Sequence, residues 1–248
     1  MRYFVKLAYD GSAFFGWQVQ PNHSTVQETL EKAFSLLLKE DIALTGCGRT
    51  DTGVHAKEYF AHFDSEQVME RGAIEQLVFR LNSFLPKEIV IFDIYSMPEN
   101  AHARFDATAR SYNYYINLNK DPFTSHYAHR VFEQLDIEMM NEASKILLNT
   151  TDFTSFSKVH TQVNNFNCKV TEACWQLNEG QLVFTITADR FLRNMVRAVV
   201  GTVLLVGKGK ISLSEFQDVI DKKDRCEAGT SVPAHALFLE KIRYPYPL

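Results

Sequence analysis

The 248-residue sequence predicts an α+β fold, on three observations. Short apolar runs alternate with polar residues between turn signals, as half-buried strands require. Longer segments carry apolar residues at helical spacing behind capping residues. The order of the two kinds gives hairpins and crossovers rather than strict strand–helix–strand alternation. Hydrophobic residues make up 46% of the chain and charged residues 23%, a globular balance that suits one large domain or two intimate ones.

Tyr3 to Tyr9 alternates as a strand, ended by Asp10-Gly11-Ser12, which leads into the loop Phe14-Phe15-Gly16-Trp17-Gln18. Thr25-Val26-Gln27-Glu28 has capping-box spacing, and Val26, Leu30, Phe34 and Leu37 recur at helical intervals as far as Lys39. Tyr59 to Phe63 reads as strand, and Gly72 to Phe84 as a helix that Pro86 ends. Ile89 to Tyr95 and Ser111 to Asn119 are strands on either side of the loop from Glu99 to Phe105. Ile137 to Asn149 is helical and Asp152 to Ser157 a polar and aromatic loop. Cys174 to Leu177 and Leu182 to Ala188 form a hairpin across Asn178-Glu179-Gly180. A buried helix runs from Phe191 to Val206, a shorter one from Leu213 to Asp221, and Ala236 to Ile242 closes as a strand. No linker rich in Gly, Ser or Pro divides the chain. The halves 1–107 and 108–248 are expected to share one sheet or a tight interface.

Cys47, Cys168, Cys174 and Cys226 lack CxxC spacing, so neither structural zinc nor a disulfide framework is expected and a reducing cytoplasm fits. The N-terminus reads directly into strand, so no targeting leader is expected. The apolar stretch from Phe191 carries Arg193, Arg197 and Gly201, too short and too charged to span a bilayer. Net charge is −4, which argues mildly against a nucleic-acid partner. Arg190, Arg193, Arg197, Lys208 and Lys210 nevertheless follow the single acid Asp189, and Arg104 and Arg110 flank the aromatic strand. These arginines are either phosphate contacts or stems covering apolar surface.

The densest chemistry lies in Gly46-Cys47-Gly48-Arg49-Thr50-Asp51-Thr52-Gly53-Val54-His55-Ala56, where an acid, two hydroxyls, an arginine and a histidine sit among three glycines. Such a segment faces a ligand, or it is an ordinary turn with a solvated Asp. It continues as neither GxGxxG nor a GK[ST] loop, which sets aside dinucleotide and P-loop readings. A metal reading would recruit Asp51, His55 and His62, but their spacing matches no common zinc motif. Arg49 beside Asp51 keeps the carboxylate ionised, which suits a nucleophile, or else forms a structural ion pair that closes the turn.

The run from Gly48 to Ala56 resembles the active-site motif of the bacterial tRNA pseudouridine synthase A family. Matching segments follow in the family's order: Asp10-Gly11-Ser12 with Gly16-Trp17-Gln18, Val26-Gln27-Glu28 with Leu30-Glu31, and His102-Ala103-Arg104-Phe105 with Ala107 to Arg110 and Tyr112. Asp152 to Phe156, Phe191-Leu192 with Met195-Val196-Arg197, and Pro233-Ala234 complete the series. The resemblance implies the pseudouridine synthase fold, a mixed, mainly antiparallel sheet flanked by helices, with two similar α/β halves around a central cleft. It implies cofactor-free isomerisation of uridine to pseudouridine at positions 38, 39 and 40 of the tRNA anticodon stem-loop, by a cytoplasmic homodimer. Residue by residue it makes Asp51 the nucleophile, Arg49 its partner and a support for the displaced base, and Tyr112 the face that stacks on uracil. Arg104, Arg110, Arg193 and Arg197 are candidate RNA contacts, with Arg193 and Arg197 one helical turn apart. His55 would orient the loop, and Trp17 and Phe191 would pack. Ala236 stands where the family usually has glycine. A noncatalytic RNA-binding module on the same scaffold is the alternative.

Overall fold

The computed structural model describes residues 1–158, 165–178 and 180–248. In chain order it contains β1 (Arg2–Tyr9), α1 (Val26–Leu38), β2 (Thr45–Gly46), β3 (His55–Asp64), α2 (Arg71–Phe84) and β4 (Ile89–Met97). Then follow β5 (Ala109–Asn117), β6 (His129–Arg130), α3 (Ile137–Leu148), β7 (Val170–Asn178), β8 (Gln181–Ala188), α4 (Met195–Gly207), α5 (Leu213–Asp221) and β9 (Leu237–Arg243). The architecture is α+β, as the sequence predicts. Two units divide it: Met1–Thr108 with Leu239–Leu248, and Ala109–Phe238.

In the first unit the strand order is β4-β1-β3-β9, with β2 beside β3. β1 is antiparallel to both β3 and β4. Tyr3, Val5 and Leu7 supply one buried face by strand alternation, and Tyr3 stacks on Phe63 at 5.5 Å, which meets Phe34 of α1 at 4.9 Å. α1 begins where the Thr25 hydroxyl accepts the Glu28 N–H. The Glu28 carboxylate pairs with Lys32 at 2.6 Å. α2 ends at Leu85, whose extended backbone is the conformation that the following Pro86 favours.

Phe4 is out of phase with its neighbours yet fully buried. The cause lies at the far end of the chain: Tyr244 and Tyr246 meet the Phe4 ring edge-on at 5.6 and 6.0 Å. Thr108 donates its N–H to the Arg243 carbonyl at 2.8 Å. The Tyr244 hydroxyl donates to the Ala103 carbonyl at 2.5 Å, and that of Tyr246 to the Asp106 carboxylate at 2.6 Å. Residues 239–248, placed by sequence with the second half, therefore belong to the first unit.

In the second unit β8 lies between β5 and β7, antiparallel to both, and β6 runs parallel to β5. β7 starts at Val170, earlier than its alternation suggests, and the predicted turn residue Glu179 lies outside the described residues. Trp175 stacks on Phe184 at 4.7 Å. The segment read as a plain loop after α3 contains a 3₁₀ turn, Thr154–Phe156. α4 is buried almost all round, with Ala198, Val199, Val200 and Val203 fully enclosed. Gly201 permits this, because a Cβ there would lie 2.0 Å from the Thr230 carbonyl oxygen. The helix predicted from Phe191 begins only at Met195. Asn194 adopts a left-handed conformation, φ 66°, and its side chain donates to the Ser231 hydroxyl at 2.6 Å, so Arg193 and Asn194 form a turn closed by the Met195 N–H on the Leu192 carbonyl. Among the described residues no helix is long and apolar enough to cross a membrane.

Candidate active site

The glycine-rich loop of the first unit is anchored from its flanks inward. β2 holds one end, pairing Thr45 with His62 and Gly46 with Ala61 on β3, and the Cys47 N–H extends the ladder to the Phe60 carbonyl at 2.8 Å. The Tyr59 hydroxyl donates to the Gly48 carbonyl. Thr50 is buried, its hydroxyl 2.8 Å from that of Tyr9, and its carbonyl accepts the Trp17 N–H at 3.3 Å. Past Asp51, the Val54 N–H returns to the Asp51 carbonyl at 3.1 Å in a turn that Gly53 completes with φ 78°. Asp51 is thus half-buried between two fixed neighbours. Beneath them Trp17 stacks on Tyr59 at 4.2 Å, and Tyr9 meets Tyr59 edge-on at 5.4 Å.

Gly16 is where a second loop touches this one. Its φ is 83°, and a Cβ would lie 2.5 Å from the Thr50 oxygen and 3.3 Å from the Asp51 carbonyl carbon. His55 is buried, its Nδ1 3.0 Å from the Gly11 nitrogen and 3.0 Å from the Asp10 carboxylate, so it ties the end of β1 to the end of the loop. Arg49 is exposed and makes no ion pair among the described residues. Hydrogen bonds, rather than an Arg49–Asp51 bridge, hold the turn closed.

The trio Asp51, His55 and His62 does not assemble as ligands. The Nδ1 of His62 accepts the Ala103 N–H at 3.1 Å, and its ring lies edge-to-face with His102 at 4.6 Å. Burial first, then the Arg2 guanidinium, push its pKa down to about 4. Among the described residues no three His, Cys, Asp or Glu side chains converge on one ion position.

On the second unit, Tyr112 is half-buried on β5, with Phe191 edge-on to its ring at 5.1 Å and 88°. Its neighbour Tyr114 is a core residue whose hydroxyl donates to the Pro233 carbonyl at 3.1 Å, and burial raises its pKa. Tyr112 and Tyr114 share one face of β5, which is closed at Tyr114 and half open at Tyr112. Arg110 donates to the Asp189 carbonyl at 2.7 Å. Arg193 is exposed in the turn before α4, not on the helix, so it does not stand one helical turn from Arg197 as the sequence predicts. Arg197 is half-buried and donates from Nε to the Val232 carbonyl at 2.7 Å, a contact between segments of this unit. Arg104 is exposed on the first unit, its guanidinium 5.6 Å from the Phe105 ring centre.

Sequence reasoning missed Tyr9 and Tyr59, which it counted only as strand residues. Each is a strand tyrosine beside a loop, Tyr9 before Asp10-Gly11-Ser12 and Tyr59 after the glycine-rich run, but only the fold shows which carbonyls and hydroxyls they reach.

Residues 7–106 and 143–245 match the family described as tRNA pseudouridine synthase. The chain is 50% identical to the tRNA pseudouridine synthase A of Parabacteroides distasonis over 247 residues, covering 100% of this chain and 97% of that protein. It is 51% identical to the protein of the same name in Bacteroides thetaiotaomicron, covering 98% of this chain and 91% of that one. The Bacillus subtilis protein of that name is 38% identical, with 98% and 99% covered. Arg49, Asp51, Arg104, Arg193 and Arg197 fall within the family-matched stretches, whereas Arg110 and Tyr112 lie between them.

Proposed function

This chain belongs to the tRNA pseudouridine synthase family, and we propose that it converts uridine to pseudouridine in tRNA, at positions 38, 39 and 40 of the anticodon stem-loop. The observation that carries the reading is the fixing of Asp51, with Thr50 locked on one side and Val54 on the other.

The net change replaces the C1′–N1 bond by C1′–C5; the C5 hydrogen leaves as a proton and N1 gains one. Electrons are conserved, so the chain's own task is nucleophilic and positional. Asp51 is the nucleophile, and a carboxylate whose backbone is already immobilised gives up little freedom on reaching its target. A uridine paired in a stem has to leave the stack at a cost of a few kcal/mol. Tyr112, braced by Phe191, supplies the face on which uracil stacks, and the exposed guanidinium of Arg49 supports the displaced base. Arg104 and Arg193, exposed in loops, meet phosphates, with Arg110 a further contact. The active species is a cytoplasmic homodimer, which sedimentation should report as twice the 28.5 kDa chain mass.

Incubating unmodified tRNA with the protein and mapping carbodiimide adducts by reverse transcription tests substrate, position and nucleophile together. New stops at 38 to 40 with the wild type and none with Asp51→Asn are expected. An unmodified wild-type reaction with tRNA still bound would leave the noncatalytic RNA-binding module instead.

A further inference from the structure

We propose that Phe15 and His23 form a stacking platform for an unpaired base of the RNA substrate, adjacent to the target uridine. The proposal rests on the tRNA reading above and adds to it a subsite built from the loop between β1 and α1.

Phe15 leaves 45% of its surface in water, although Phe14 and Trp17 on either side are buried. Its ring lies against the exposed imidazole of His23 at 4.2 Å and 30°, so each ring orders the other in the open. The backbone beneath is closed by hydrogen bonds: the Phe15 N–H donates to the Ser24 carbonyl at 2.9 Å, and the Gln20 side-chain amide donates to the Phe15 carbonyl at 2.8 Å. The Val19 N–H donates to the Gln27 side chain at 3.2 Å, tying the loop to α1.

These backbone and side-chain hydrogen bonds close the loop by themselves, and the doublet still presents ring surface to water. Its location supplies the reason. Phe15 is one residue from Gly16, the position pressed against the backbone of Thr50 and Asp51, and Trp17 is hydrogen-bonded to Thr50. The backbone that carries the platform is therefore one residue away from its contact with the loop of the proposed nucleophile. A flat apolar face with an imidazole behind it accepts a nucleobase and asks for no particular sequence, since every base has a π-face. Anticodon loops offer unstacked bases next to the stem positions proposed as targets, and single-stranded RNA is recognised by stacking of this kind.

The test uses tRNA kinetics on Phe15→Ala, Phe15→Tyr and Phe15→Leu, with the melting temperature of each variant measured beside them. Loss of the platform should raise KM roughly tenfold with kcat little changed, the order expected for one lost base stack. Tyr should restore the wild-type KM, and Leu, which matches the bulk without the π-face, should not. An unchanged KM in Phe15→Ala, or equal rescue by Leu and Tyr, overturns the proposal. A second arm needs no catalysis: anticodon stem-loops with 2-aminopurine at successive loop positions are bound to Asp51→Asn with and without Phe15→Ala. Quenching at one position that Phe15→Ala abolishes supports the platform; quenching indifferent to Phe15 overturns it. Should wild-type protein leave tRNA unmodified, the functional reading fails, while this second arm still decides the subsite.

Discussion

Thr50 is a buried hydroxyl next to the proposed nucleophile, and the hydroxyl of Tyr9 meets it at 2.8 Å. Tyr9→Phe leaves Thr50 without that partner, at a cost of about 1–3 kcal/mol, so chemical denaturation should show the loss and kcat should fall with it. Gly16→Ala acts on the same spot from the other loop: with φ 83° and the Thr50 oxygen 2.5 Å from the new methyl, the catalytic loop has to yield. We expect activity to fall by more than tenfold while the melting temperature drops only a few degrees. His62 sets a pH dependence whose sign is fixed by burial. An unfolded histidine titrates near 6.5 and the folded one at about 4, so between these values only the unfolded chain takes up the proton. Stability is full above pH 6.5 and declines as pH falls toward 4, by up to about 1.4 kcal/mol per unit. His62→Asn keeps an acceptor for the Ala103 N–H and should flatten that part of the profile, measured by urea midpoints across the window. At this scale the sequence displayed Arg49 and Asp51 together, because they are chain neighbours. It concealed Tyr9, Tyr59 and the Phe15–His23 pair, because the contacts that give them meaning are made through folding.

Two helices secure two strands by one device. Asn82 of α2 donates its amide to the Ile91 carbonyl at 2.8 Å and accepts the Ile91 N–H at 2.7 Å. Asn141 of α3 does the same to Trp175, at 3.2 and 2.8 Å. Each asparagine satisfies backbone groups of β4 or β7, the terminal strands in the sheet order, that would otherwise be open to another chain. Asn82→Ala and Asn141→Ala should each lower stability by about 1–2 kcal/mol in denaturant titrations and raise the tendency to aggregate. The elements themselves were readable, since periodicity and a cap such as Thr25 are local signals. The start of α4 was not: the apolar pattern from Phe191 continues smoothly through the turn, and only the Asn194 contact with Ser231, 37 residues away, breaks it. The clips were equally hidden, because an asparagine in a helix carries no mark of the strand it will reach.

For the whole molecule, net charge is −4, and the exposed arginines proposed to meet phosphate are few. Affinity for tRNA should fall with salt on a shallow log–log slope, about −2 to −4, and Arg193→Ala should reduce that slope by close to one. The change of unit near residue 108 is marked by no linker in the sequence, and the return of the last residues to the first unit by no local pattern. A closing strand such as β9 reads the same whichever partner it joins, and the off-phase Phe4 hints at a cover without naming Tyr244 or Tyr246. Deleting residues 239–248 should expose Phe4 and strip amide protection from β3 and from residues 102–106, as hydrogen exchange would show. The same arrangement imposes an order on synthesis. The second unit is one continuous stretch and is complete once Phe238 has emerged, but the first is missing a strand until residues 239–248 follow. The second unit is thus able to close before the first on the ribosome, and the loop carrying Asp51 waits in an unfinished sheet until residues 239–248 have followed.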